Sequence, residues 1–88
     1  DSVEAIIPNL IAKKLNTVCC KEDVRFYNIS CYYSILNKKE KAIEYLEKSL
    51  QLGYDKFNWI QIDYDMKNIK NSPEFIALIE KYKNTKQN

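Results

Sequence analysis

Residues 26–53 constrain the fold of this chain more than any other stretch: they read FYNISCYYSILNKKEKAIEYLEKSLQLG. A pattern of mostly apolar residues at helical intervals is interrupted by three polar residues and then resumes. Its members are Phe26, Ile29, Tyr33 and Leu36 before the interruption, and Ala42, Ile43, Leu46, Ser49 and Leu50 after it. Such spacing lines one face of an α-helix. The stretch therefore predicts two helices joined by a tight turn.

Two residues mark where these helices are expected to end. Asn37 suits a left-handed helix cap, because asparagine tolerates that conformation better than most residues other than glycine. Gly53, the only glycine in the chain, follows Leu52 at the position where a helix C-terminus favours glycine. The sequence thus predicts a helical hairpin with a boundary near each of these residues.

Small residues indicate how the two helices would pack. Ser30 and Ala42 interrupt otherwise bulky faces, so two backbones can approach each other there. With Ala42 placed on the first invariant alanine of the tetratricopeptide pattern, the other signature positions carry Phe26, Ile29, Ser30, Tyr33, Leu46 and Ser49, each the expected residue or near it in size. The hairpin therefore resembles the tetratricopeptide repeat family. Two positions differ from the family pattern: Asn37 replaces the usual turn glycine, and Tyr54 replaces the closing proline.

The residues after the hairpin do not repeat the pattern. Ser72 is a good N-cap, Pro73 suits a first helical position and Glu74 favours the positive end of the helix dipole. An apolar stripe follows at Phe75, Leu78, Ile79 and Tyr82, and a short apolar cluster precedes it at Phe57, Trp59, Ile60 and Ile62. The stretch is similar to the tails that close tetratricopeptide arrays. Since terminal repeats seal an open hydrophobic face, we interpret it as a capping segment.

The first twenty residues allow two interpretations. Apolar residues lie at helical spacing, and Pro8 is tolerated if one helix begins near it. Lys13 and Lys14 flank an Ile-rich face, which would also suit a membrane-surface helix. We favour a helix that packs on Phe26 and Tyr33, because a single hairpin cannot bury its own face.

The whole chain is accordingly predicted to be one all-α domain. Its 88 residues are 45% hydrophobic, enough for one core. The predicted parts are an N-terminal helix (1–22), the tetratricopeptide-like hairpin (23–54), the capping segment (55–84) and a tail (85–88). A net charge of +2, with lysine and glutamate intermixed, indicates a solvated surface rather than a nucleic-acid interface. We also expect the chain to be part of a larger protein.

No motif in the sequence supports catalysis or a metal. The three cysteines, Cys19, Cys20 and Cys31, occur without any histidine and lack the paired spacing of structural zinc. Asp63-Tyr64-Asp65 resembles the start of a calcium loop, but Lys67 replaces the third ligand. One glycine cannot build a phosphate-binding loop. We therefore expect no enzyme activity, no metal site and no cofactor.

The family resemblance implies a function in protein–protein interaction. In tetratricopeptide proteins the first helix of each repeat lines a concave, partner-binding face. On the register above, the residues of that face are Val24, Tyr27, Asn28, Cys31, Ser34 and Ile35. Tyr27 and Asn28 are the strongest candidates, as an aromatic platform beside an amide that can bond a peptide backbone. Asn28 matches one asparagine of the family's carboxylate clamp, but the remaining clamp residues are missing.

The predicted role is thus a scaffold or adaptor that binds a protein or peptide, with no nucleic acid and no membrane as partner. Three alternatives stay open: a structural cap, a homodimerisation segment, and the regulatory tail of an enzyme whose catalytic domain lies upstream. An odd cysteine count favours a reducing compartment, so an intracellular, cytoplasmic location is the first expectation. Similar tails occur in plastid assembly factors, so a plastid location is the second expectation.

Overall fold

The computed structural model describes residues 21–87, with side chains through residue 85, and this range is all-α. It contains helices α1 (Glu22–Ile35), α2 (Lys39–Gln51), α3 (Phe57–Ile62) and α4 (Pro73–Gln87), and a 3-10 turn at Tyr64–Met66. No strand occurs within this part of the chain. The all-α prediction is confirmed. The predicted N-terminal helix and its packing on Phe26 and Tyr33 concern residues 1–20, which lie outside the described range.

Helices α1 and α2 form the predicted hairpin, and both end in the same way. Asn37 has a φ of 60° and Gly53 a φ of 107°, so each adopts the left-handed conformation after its helix. The amide of Lys38 then donates to the carbonyl of Tyr33, and the amide of Tyr54 donates to the carbonyl of Ser49. These bonds satisfy carbonyls that a helix end would leave unpaired.

The two hairpin helices meet closely at the small residues. Ser30 and Ala42 are both fully buried, and the Ser30 hydroxyl donates a 2.6 Å hydrogen bond to the Ala42 carbonyl. At the other end of the contact, the Ser49 hydroxyl donates to the carbonyl of Asp23 at 2.7 Å. A larger side chain at Ser30 or Ala42 would separate the backbones. The expected close approach is therefore confirmed.

The C-terminal part adds α4 to the same core. The Ser72 hydroxyl accepts a hydrogen bond from the Phe75 amide at 3.3 Å, as an N-cap does. Residues Phe75, Leu78 and Ile79 are buried together with core residues of the hairpin. On the surface, the ammonium group of Lys39 lies 3.3 Å from the carboxylate of Glu74, linking α2 to α4. The predicted apolar stripe of the last helix is thus confirmed.

The predicted apolar cluster before α4 is only half correct. Ile60 is fully buried and Phe57 is partly buried, whereas Trp59 and Ile62 are exposed. Helix α3 packs on the core through one face, which carries Phe57 and Ile60, and its opposite face stays in solvent. Among the described residues, no helix has the length and apolar character needed to cross a membrane.

Candidate functional site

The face of α1 that was predicted to line an open groove is covered by the chain itself. Residues 54–69, which we call the covering segment, include α3 and the 3-10 turn and lie along this face. Tyr54 contacts Tyr27 near the start of α1, whereas Asn68 reaches Ser34 near its end. The covering segment also contributes Ile60, Met66 and Ile69 to the core. It is therefore an integral part of the folded unit.

Tyr27 is held by two side chains of this segment. Its ring stacks on Tyr54 with a centroid separation of 4.6 Å and an angle of 15° between the planes. Its hydroxyl donates a 2.6 Å hydrogen bond to the Asp63 carboxylate. The prediction that Tyr27 is an exposed aromatic platform is therefore wrong, because the ring is buried and its polar atom is engaged inside the fold.

Cys31 and Ser34 also contact the covering segment, Cys31 through its thiol and Ser34 through its backbone carbonyl. The Cys31 thiol lies 3.7 Å from the Asp63 carboxylate, to which it donates. Asn68 donates from its side-chain amide to the Ser34 carbonyl at 3.0 Å. The buried Ser34 hydroxyl has no hydrogen-bond partner within the described residues. Both residues are buried, so they do not lie on the open face that the sequence suggested.

The other three predicted residues remain accessible. Val24 and Asn28 are partly buried, and Ile35 is 49% exposed. Separations of four and seven residues place all three on one side of α1. We call this set the α1 edge. It combines an amide, which both donates and accepts hydrogen bonds, with apolar groups at either end.

The electrostatics of the buried cluster favour neutral donors around one carboxylate. Burial, followed by the hydrogen bond to Asp63, raises the pKa of Tyr27 far above its ordinary value of 10.0. Burial and the charge of Asp63 likewise raise the pKa of the Cys31 thiol. Burial raises the pKa of Tyr54 to about 12. The Tyr27 hydroxyl and the Cys31 thiol thus retain their protons at neutral pH and donate them to Asp63.

Three side chains that could ligate a metal lie close together here. The Cys31 sulfur and one carboxylate oxygen each of Asp63 and Asp65 lie within 4.8 Å of one another. However, both Asp63 oxygens already accept hydrogen bonds, since Oδ2 bonds Tyr27 and Oδ1 bonds the Asp65 amide at 3.0 Å. A thiol with a raised pKa is also a poor ligand, because metals bind the thiolate. The arrangement fits a structural polar cluster better than a cation site.

Sequence reasoning missed the roles of Tyr54, Asp63 and Asn68. Tyr54 was noted only as a departure from the family's closing proline, and Asp63 only as part of a rejected calcium motif. The available signal was a carboxylate directly after the apolar run of α3 and an aromatic residue where a proline was expected. Neither could be assigned to Tyr27 without knowing which way the chain turns after Gly53.

Comparison with known proteins gives one partial relative. The chain is 34% identical over 59 residues to a protein of Arabidopsis thaliana that is named as chloroplastic. The match covers 67% of this chain and 18% of the relative, so the chain spans less than a fifth of that protein's length. No protein family's sequence model matches the chain. No solved structure matches it.

Proposed function

We propose that the chain is a non-catalytic protein-interaction module that binds a protein or peptide partner along the α1 edge. The observation that supports this is the accessibility of Val24, Asn28 and Ile35 on a helix that is fixed from two sides. Helix α2 packs on one side of α1, and the covering segment packs on another. A fixed helix loses little conformational entropy on binding, so its exposed side chains make efficient contacts.

The tetratricopeptide resemblance supports the same role, with one change from the sequence prediction. The binding surface is narrower than the six residues first expected, because Tyr27, Cys31 and Ser34 are buried. Asn28 then supplies the polar contact, and Ile35 supplies the largest exposed apolar contact of the α1 edge. Such a narrow strip suits an extended or helical peptide better than a small molecule that binds in a deep pocket.

Affinity capture with the wild-type domain as bait, followed by calorimetry with the captured partner, tests this role. Ile35→Asp should weaken binding by about tenfold or more, because it places a charge in an apolar contact. Asn28→Ala should cost roughly 0.5–1.5 kcal/mol for each hydrogen bond lost.

Leu52→Asp is the matched control, since Leu52 is 50% exposed but lies at the end of α2. Equal loss of binding in Ile35→Asp and Leu52→Asp, or no loss in Ile35→Asp, would contradict a site on the α1 edge.

A structural cap is the second candidate function, and the covering segment favours it. In this role residues 54–69 close the hairpin, and α1 contacts only the rest of the same protein. Capture of no partner by a bait that is folded by circular dichroism would favour the cap. A regulatory role beside an upstream catalytic domain makes the same prediction for the isolated domain.

We further propose a plastid location, which the name of the relative supports. The Arabidopsis thaliana relative is named as chloroplastic, and the chain is 34% identical to part of it. Expression of the full-length gene product fused to a fluorescent protein would test this. Signal that coincides with a plastid marker is expected, and signal confined to the cytoplasm would contradict it.

A further inference from the structure

Of the seven large apolar side chains that are exposed among the described residues, three lie on the covering segment. Trp59 is 50% exposed, Ile62 is 71% exposed and Tyr64 is 74% exposed. Trp59 and Ile62 are one turn apart on α3, and Tyr64 opens the 3-10 turn. We call these three residues the α3 patch. Apolar side chains clustered on a well-packed segment mark an interaction surface.

Charged residues at both ends of the α3 patch make it complementary to itself. Asp55 and Lys56 precede α3, whereas Asp65 and Lys67 follow it, and all four are exposed. Each end therefore carries one anion and one cation. If two copies of the patch pair in opposite directions, Lys56 of each copy can be placed opposite Asp65 of the other. Pairing about a two-fold axis repeats this contact twice, which is how isologous dimers gain specificity.

A cation from a second copy would stabilise the ionised carboxylate of Asp65. Although the residue is exposed, its carboxylate lies within 4.8 Å of the Asp63 carboxylate, and loss of surrounding water, followed by the charge of Asp63, raises its pKa. The ion pairs described in this structure use the carboxylates of other residues, namely Glu22, Glu44, Glu47 and Glu74. An incoming ammonium group would therefore relieve the repulsion between the two carboxylates.

We propose that a second copy of this chain occupies the α3 patch, forming a weak two-fold dimer in which Trp59 and Ile62 pack against their counterparts. The three side chains offer roughly 400 Å² per copy from the usual areas of aromatic and aliphatic residues. With its charged rim, the pair approaches the lower limit of specific interfaces, about 1,200 Å². The dimer is accordingly transient, and it uses a different surface from the α1 edge.

Sedimentation equilibrium between about 10 µM and 1 mM tests the dimer, and Trp59 gives an independent signal because it is the only tryptophan. We expect reversible dimerisation in this range, with Trp59 emission moving to shorter wavelength as concentration rises. Ile62→Asp should weaken dimerisation at least tenfold. Ile76→Asp is its matched control, because Ile76 is 46% exposed on α4 and should leave the equilibrium unchanged.

Charge reversal then tests the orientation of the two copies. Lys56→Glu alone should weaken dimerisation by about two- to fivefold, as expected for an exposed ion pair. Adding Asp65→Lys in the same chain should restore it, since the pair is then reversed. A monomer at all concentrations, or a dimer that survives Ile62→Asp, would overturn the proposal. Loss of dimerisation in Lys56→Glu without rescue would overturn the antiparallel arrangement.

Discussion

The α1–α2 hairpin and the covering segment are built in different ways. The hairpin is regular: its helices end in matching left-handed caps and meet at Ser30 and Ala42. The covering segment has one short helix and a 3-10 turn, and it is held to α1 by Tyr54, Asp63 and Asn68. Local periodicity therefore specifies the first region, whereas contacts between residues distant in sequence specify the second.

This difference decides which surface is left for a partner. A hairpin with the same sequence but an open face would expose Tyr27, Cys31 and Ser34. Here the irregular segment buries these residues and brings Trp59, Ile62 and Tyr64 to the surface instead. The less regular half of the molecule thus determines the accessible surface of the more regular half.

The largest effect is expected where α4 joins the two regions. Phe75→Ala should destabilise the fold by roughly 3–5 kcal/mol, because Phe75 is fully buried and its loss leaves a cavity in the shared core. Urea unfolding followed by circular dichroism and by Trp59 fluorescence should give coincident transitions.

The exposed neighbour Ile76 provides the control, since Ile76→Ala should change stability by less than about 0.5 kcal/mol. Separate transitions by the two probes would show that the hairpin and the covering segment unfold independently. That result would contradict a core shared by the two regions.

A smaller loss is expected from overpacking inside the hairpin. Ala42→Leu should cost about 1–3 kcal/mol, because Ala42 has no exposed surface and its carbonyl is bonded to Ser30. Thermal unfolding measures the change, and the exposed neighbour Lys41→Leu should have little effect. Unchanged stability in Ala42→Leu would contradict the close helix contact.

A further loss should appear at alkaline pH and report on the covering segment. Burial raises the pKa of Tyr54 from 10.0 to about 12, so the folded state retains a proton that the unfolded state has lost. This contribution to stability is complete below pH 10 and disappears as pH rises from about 10 to 12. Melting temperatures across this range should fall less steeply in Tyr54→Phe. The exposed residue Tyr64 is the control, and an identical change in Tyr64→Phe would contradict the assignment.

The hairpin could be predicted from sequence because each signal is local. Asn37 and Gly53 adopt the expected left-handed conformations, and Ser72 caps α4 as expected. The candidate site could not be predicted equally well. Its accessibility depends on the path of the chain after Gly53, and the bond from Tyr27 to Asp63 joins residues 36 positions apart. Helical periodicity assigns Tyr27 to a face but gives no information on what covers that face.

The central claim is that the covering segment is bound to α1 through Tyr27 and Asp63. A double-mutant cycle with Tyr27→Phe, Asp63→Asn and the combined variant, measured by urea unfolding, tests it most directly. Because the bond is buried and charge-assisted, we predict a coupling energy of about 1–3 kcal/mol. Additive effects, with a coupling energy below about 0.3 kcal/mol, would contradict the claim that this bond attaches the covering segment to α1.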